Sequence, residues 1–332
     1  MPKSHLTVMA AAKDLAYPIV TLREHVTDLE AAITLTLADP QPKPVHRLRT
    51  TSRRIEALLI LLDLLPGLPD HAKLARKSTR LLKKLRRAAG AVRDLDVQQD
   101  LVPNLLPSRP TEPDDLTSST SAAGLHHHTG HARRHHDRLH RHAKRLSDTL
   151  EHRRRQEAAA LLKTLSKLHS RLAPTLEQLL TTLAPAAGLA LSSTQLTTLT
   201  RDWYRRHLPA STRTLTTSKP RLLHAVRKVA KLARYIAEVA PAASPPSAPR
   251  GTTPNRPRTP RNTGTSPAKV AAEFEAVQHA GGVWHDLLAL SGIARGHLGK
   301  RSPLTRHLEA ARDGALEQYR KDFRAHRQEI AS

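Results

Sequence analysis

The sequence predicts an all-α fold of two helical-bundle repeats, and three observations predict it. Apolar residues recur at three- and four-residue steps along most of the chain, the period of an amphipathic helix. Ala, Leu, Arg and Glu dominate these stretches, and all are good helix formers. Alternating β-branched runs are nearly missing, and aromatic residues make up only 2% of the chain.

The elements follow in order. A first helix covers about 14–38 and stops at ADPQPKP, whose prolines cannot continue it. A second spans about 44–64 and ends at PGLPD. A third spans about 71–102, with Arg76, Arg80, Lys83 and Arg87 on one face and Leu74, Leu81, Leu85 and Val92 opposite. Residues 103–121 read as a flexible Pro/Ser/Thr loop. A His- and Arg-rich helix comes next, and helical sequence continues to about 183. A helix over 193–208, with Ser192 or Ser193 as its candidate cap, places Arg201 and Arg205 one turn apart. Another covers 219–240. The segment after it, 241–267, holds Pro, Ser, Thr and Arg with nothing to bury and reads as disordered. Helical sequence resumes with AEFEAVQHAGGVWHDLLAL.

The chain has 332 residues and a formal net charge of +25, which predicts attraction to polyanions: nucleic acid, an anionic membrane or inorganic polyphosphate. Readers of single-stranded bases stack them on aromatic rings, and this chain has almost none to offer. Backbone-only binding of RNA or DNA survives that test. The absence of cysteine removes disulfides, thiolate metal sites and thiol nucleophiles together. The opening MPKSHLTVMAAAKDLAYPIV lacks an apolar signal-peptide core. ALLILLDLLPGL is too short for a membrane span. A soluble cytoplasmic protein without membrane partners is expected.

Two stretches carry the functional signal. In VHRLRTTSRR, His46, Arg49 and Arg53 fall within roughly a sixth of the helix circumference, opposite Leu48, Ile55, Leu59 and Leu62. In LHAVRKVAKLARY, His224, Arg227, Lys228, Lys231, Arg234 and Tyr235 share one face. A solvated helix face usually mixes Glu with Lys or Arg, because like charges one turn apart repel. Here the repulsion is left nearly unrelieved in both places, which calls for an anion.

The two stretches belong to a duplication. Each His-containing helix is followed by a Pro-containing break and then by a matching motif, AGAVRDL at 89–95 and GGVWHDL at 281–287. The 241–267 segment is then an enlarged counterpart of PGLPD inside the second repeat, and the chain is a tandem repeat of one helical unit.

These motifs, in this order and spacing, resemble the CHAD family, the conserved histidine α-helical domain. The resemblance spans about 12–325, as one domain of two repeats, about 12–150 and 153–325. It implies two pseudo-symmetric helical units whose basic faces meet in a shared central groove or channel that binds inorganic polyphosphate. By position, it implies a site of His46, Arg49, Arg53 and Arg54 with His224, Arg227, Lys228, Lys231 and Arg234, lined further by Arg76, Arg80, Lys83 and Arg87. Arg201 and Arg205 join this set as paired cations of the intervening helix. The chain departs from the family pattern where Glu56 occupies the counterpart of Arg234, His285 that of Arg93, and Leu288 that of Asp96. A lopsided site, stronger on the first repeat's side, is expected.

The residue chemistry suits such a polymer. Polyphosphate carries about one charge per internal phosphate and no base edges, so its recognition rests on charge and donation to non-bridging oxygens. Arginine grips two oxygens with its planar fork, and lysine adds a point charge. His46 and His224, as imidazolium, would donate as well. Asp94 and Asp286 fall at the rim, where they would orient Arg or His or pack a helix end.

Three rival readings are weighed against this one. An enzyme acting on phosphates would need metal-holding carboxylates or a phosphate-cradling glycine loop, and the one E-x-E, Glu273 to Glu275, lies in a helix without the lysine expected after it. No catalysis and no cofactor are expected. His126, His127, His128, His131, His135, His136, His140 and His142 include pairs four apart that suit a metal, yet the surrounding arginines disfavour a dication. No metal site is assigned, and an added basic surface that charges below about pH 6.5 is expected there. Non-specific nucleic-acid backbone binding is the main alternative function. The leading expectation is a non-catalytic polyphosphate-binding protein targeted to polyphosphate granules.

Overall fold

The computed structural model describes residues 15–107, 125–209, 220–240 and 266–331, with side chains described at 15–107, 133–209, 221–240 and 266–325. Eight helices and two very short strands occupy these residues: β1 (Leu15–Ala16), α1 (Pro18–Ala38), α2 (Pro42–Leu62), α3 (Ala72–Asn104), α4 (Leu125–Leu183), β2 (Leu191–Ser192), α5 (Ser193–His207), α6 (Pro220–Ala237), α7 (Pro267–Leu298) and α8 (Pro303–Ala331). The all-α expectation holds. A two-residue strand followed by four helices thus occurs twice in chain order, and β1 pairs antiparallel with β2, Leu15 opposite Ser192 and Ala16 opposite Leu191.

Local sequence explains the boundaries. Pro18, Pro42 and Pro267 stand in the first turns of α1, α2 and α7, where a missing N–H costs nothing. The first helix starts at 18 rather than 14, because Leu15 and Ala16 are taken by the strand pair. Ser192 proves to be the cap of α5: its hydroxyl accepts from the Gln195 backbone N–H while the Gln195 side chain accepts from the Ser192 backbone, a full capping box. Ser266 caps α7 in the same way through the Lys269 N–H. Gly67 and Gly299 adopt φ values of 75° and 82° in the turns after α2 and α7, a region that only glycine enters cheaply.

One further boundary differs from expectation. Helix α3 runs through Pro103 to Asn104, so the 103–121 segment begins in helix; residues 108–121 lie outside the described residues, as do 241–265 of the Pro-rich segment. Helix α4 is one continuous element of 59 residues and contains Pro174. It ends at Leu183, where the helical sequence was expected to end.

The apolar faces close two cores. The larger joins α1, α2 and the first half of α3 to α5, α6, the first half of α7 and the end of α8. The second half of α4 contributes a seam of Leu161, Leu165, Leu168, Leu172, Leu176, Leu179 and Leu183 to it. The smaller core gathers Leu95 and Val102 of α3, Leu139, Leu146 and Leu150 of α4, Leu290 of α7, and Leu304 and Leu308 of α8. Each fully buried leucine contributes about 1.5–3 kcal/mol. None of the described helices is long and apolar enough to cross a membrane.

Candidate functional site

With their apolar backs held in the larger core, α2 and α6 pack against each other, and this brings the two basic stretches together. The charge of Lys231 acts on His46, that of Arg53 acts on His224, and that of Arg49 acts on both Arg227 and Lys231. His46, Arg49, Arg53, His224, Arg227 and Lys231 therefore form one cluster drawn from two elements far apart in the chain. Helix α3 adds Arg93, whose charge acts on His46, and α7 adds His285, whose ring stacks on His224 with centroids 4.9 Å apart.

Glycine permits the close approach. A Cβ on Gly90 would stand 3.0 Å from Arg49 Nη1, and one on Gly282 would stand 3.7 Å from Arg227 Nη2. Each guanidinium thus lies against the backbone of the next helix at matching positions of AGAVRDL and GGVWHDL. Asp94, one turn beyond Gly90, accepts from Arg49 Nη1 at 3.0 Å. Burial lowers the pKa of Arg227, and the charge of Asp286, one turn beyond Gly282, partly offsets that; Asp286 also lies 3.5 Å from His285 Nδ1. Asp94 thus engages an arginine of α2 directly, and Asp286 stands beside the histidine that precedes it.

The electrostatics record how crowded the cations are. Burial first, then the charges of Arg49, Arg227, Arg53 and Arg234, push Lys231 from 10.5 down to about 7. Among the described residues no carboxylate pairs with Lys231. Burial, then His285, Arg227, Lys228 and Arg53, take His224 from 6.5 to about 4. Burial, then Arg93, Lys231 and Arg49, lower His46. The imidazolium expected at both histidines is therefore disfavoured in the free protein, where like charge surrounds them. Arg53 Nε, Arg227 Nε and His224 Nδ1 are buried without a protein partner. Leaving such buried polar atoms unmatched costs about 1–3 kcal/mol each, and all three belong to residues of one cluster.

Carboxylates neutralise the periphery. Arg53 also reaches Glu56 at 3.4 Å. Arg54 lies 3.8 Å from Glu238, which accepts from Arg234 Nε at 2.6 Å, and Arg234 Nη1 reaches Glu275 at 2.9 Å. Arg201 lies 3.6 Å from Glu273 and Arg205 lies 3.8 Å from Asp202. The two carboxylates of the E-x-E are thus each engaged by a different arginine. Lys228 is exposed at the rim. Arg76, Arg80, Lys83 and Arg87 are all exposed, about a quarter turn round α3 from Arg86, which faces α2. They form a stripe beside the cluster rather than its lining.

Sequence reasoning left three groups out of the site. Arg93 and Gly90 both sit inside the GAVRDLD motif, so the motif was the signal. Arg86 is 8% exposed and donates to Glu56 at 2.5 Å and to the Ser52 carbonyl at 3.3 Å; burial, partly offset by Glu56, lowers it to about 10. Its spacing was the signal, since it stands one turn from the buried Leu82 and Ala89 on the apolar side of α3. Of the His-rich stretch, His126, His127, His128 and His131 have side chains outside the described residues. The His136 and His140 rings meet at a tilt of 44° with centroids 4.2 Å apart, His142 Nδ1 lies 2.8 Å from Ser302 Oγ, and no three described His, Asp or Glu side chains converge as a metal site would require.

An all-helical chain with a duplicated element order and basic motifs at matched positions defines the class, and comparison with known proteins agrees. The CHAD domain family model matches residues 20–251. The fold resembles the crystal structure of the CHAD domain from the plant Ricinus communis, with TM-score 0.50, 17% identity, and coverage of 96% of this chain and 93% of that one. It also resembles PptA from Streptomyces chartreusis, with TM-score 0.52, 15% identity, and coverage of 95% and 98%. No curated protein matches the chain. The chain belongs to the CHAD domain family.

Proposed function

We propose that this protein binds inorganic polyphosphate without chemical change, at the cluster where α2 meets α6, and acts in the cytoplasm at polyphosphate granules. One observation carries the reading: His46, Arg49, Arg53, His224, Arg227 and Lys231 converge, and Lys231 has no counter-ion among the described residues. Bringing these cations together costs free energy in the free protein. A flexible polyanion relieves that cost, supplies acceptors for the unmatched donors and adds counterion release. Membership of the CHAD family, through the function that the sequence motifs imply, points to the same ligand. The exposed stripe of Arg76, Arg80, Lys83 and Arg87 would extend the path along α3, and Arg54, Arg201, Arg205 and Arg234, held by carboxylates, would contribute less.

The test is a competition titration at physiological salt. Labelled long-chain polyphosphate on the protein is challenged with duplex DNA and with RNA at matched phosphate concentration. Retention of polyphosphate against both supports a dedicated site. Displacement on equal terms would sink the proposal in favour of general nucleic-acid backbone binding, driven by the net charge of +25.

A further inference from the structure

We propose that Lys231 is an acylation site whose reagent is a small acyl phosphate, held by Arg49, Arg53 and Arg227 through its phosphate group. The inference rests on the phosphate-binding reading of the cluster and extends it to a covalent step.

The geometry assembles both halves of such a reaction. The Lys231 amine is half-buried and lies among the guanidiniums of Arg49 and Arg53 from α2 and of Arg227 and Arg234 from α6. Of these, Arg234 is bound by Glu238 and Glu275, and Arg49 shares Asp94. Arg53 and Arg227 keep a buried Nε without a protein partner. Guanidinium forks grip phosphate oxygens in pairs, so a phosphate monoester bound here lies beside the amine. Burial first, and then the same crowding of positive charge, hold Lys231 at about 7, which makes much of it free base at neutral pH. Exposed Lys228 on the same helix has no such enclosure.

The step balances without further reagents. The Lys231 Nζ lone pair attacks the acyl carbon, a C–N bond forms, and the C–O bond to phosphate breaks. Phosphate leaves with that electron pair and takes up the proton lost from nitrogen. The arginines stabilise both the bound reagent and the departing phosphate. The product amide has no charge, so acylation removes the central cation and weakens polyphosphate binding. The metabolic source of an acyl phosphate would thereby set the occupancy of the site by the polymer.

The experiment treats the full chain at neutral pH with acetyl phosphate and, in parallel, with the uncharged ester N-hydroxysuccinimidyl acetate, and reads site occupancy by peptide mass spectrometry. With acetyl phosphate, Lys231 should react about tenfold faster than exposed Lys228 and Lys83, and by a wider margin than with the neutral ester, because Arg49, Arg53 and Arg227 hold the phosphate beside its amine. Excess polyphosphate should abolish that lead, and Arg49→Gln should slow the reaction with acetyl phosphate more than that with the neutral ester, which responds only to the loss of one charge beside Lys231. Equal labelling of Lys228, Lys83 and Lys231 by acetyl phosphate overturns the proposal. A lead seen only with the neutral ester also overturns it, since the phosphate then does not guide the reagent. A separate polyphosphate titration keeps the readings apart: binding without a Lys231 lead refutes the acylation site alone, and no binding refutes the function as well.

Discussion

Arg86 of α3 donates to Glu56 of α2 at 2.5 Å, and aligning the two His-containing motifs and the AGAVRDL and GGVWHDL motifs puts Arg234 opposite Glu56 and Gln278 opposite Arg86. Arg234 and Gln278 also bond, at 3.3 Å, with the cation now on the other helix. The departure noted at Glu56 is thus one half of an exchange: the cation and its acceptor trade helices, so that one polar link joins α2 to α3 and another joins α6 to α7. The link between α2 and α3 is buried, the side chains of Arg86 and Glu56 being 7% and 14% exposed.

Breaking that link should damage the fold before it damages binding. Glu56→Gln leaves the Arg86 guanidinium buried without its charge partner, and removing one member of a buried pair costs about 3–5 kcal/mol. Thermal unfolding should show a large fall in Tm. A double variant, Glu56→Gln with Arg86→Met, should recover much of it. A single variant as stable as the parent would mean that water reaches Arg86 freely.

The glycines of the matched motifs make opposite predictions. Gly90→Ala puts a methyl group 3.0 Å from the mobile tip of Arg49, and Gly281→Ala puts one 2.9 Å from the Tyr319 ring, which is fully buried and donates from its hydroxyl to the Leu223 carbonyl at 3.0 Å. Alanine is favoured over glycine in a helix by about 1 kcal/mol. Gly90→Ala should therefore hold or raise stability while displacing Arg49 and weakening polyphosphate binding. Gly281→Ala should destabilise by about 1–3 kcal/mol through overpacking. Chemical denaturation and a binding titration on both variants separate the two effects.

How much of this was legible beforehand follows from what periodicity can report. The apolar backs of α2 and α6 were readable because Leu48, Ile55, Leu59, Val226 and Ala233 obey the helical step, and all are buried. The basic fronts were readable for the same reason. Which cations stay uncompensated was not, because compensation arrives from other helices: Glu238 takes Arg54 and Arg234, and Glu273 takes Arg201. A sequence shows that Arg201 and Arg205 lie one turn apart, but not that an acid of α7 waits beside the first. The neutral state of the free histidines was hidden as well, since Arg93 and His285 come from neighbouring helices. The strand pair escaped because two residues carry no period.

Lys231→Met should stabilise the free protein while weakening its ligand affinity. The folded-state pKa of Lys231 lies near 7, below its ordinary 10.5. Between those values the unfolded chain binds a proton that the folded chain releases, so stability rises with pH across that window. Below about pH 7 the cost of holding the charged amine is present in full, and above 10.5 it vanishes. The Met variant should gain most in Tm at pH 6 and little at pH 10.5. A Tm difference that does not change with pH would show that Lys231 is not strained by its neighbours.

Polyphosphate binding should be coupled to proton uptake. The free protein holds Lys231 near 7 and His224 near 4, and lowers His46, because burial and neighbouring cations disfavour the charged forms. A bound polyanion reverses the sign of the local field and raises all three. Each group whose pKa rises on binding takes up a proton wherever the pH lies between its free and bound values. Affinity must then increase as pH falls, first through the range just above 7, where Lys231 responds, and further towards 5, where the histidines join. Calorimetry at pH 7.5 in two buffers of different ionisation heat measures the uptake directly: the observed heats should differ in proportion to the protons taken up. Lys231→Met should remove most of that difference at pH 7.5, and His224→Gln should flatten the affinity profile only below about 6.5. Equal heats in both buffers, with affinity constant from pH 8 to 5, would place the polymer on the exposed stripe of α3 instead of among the clustered cations.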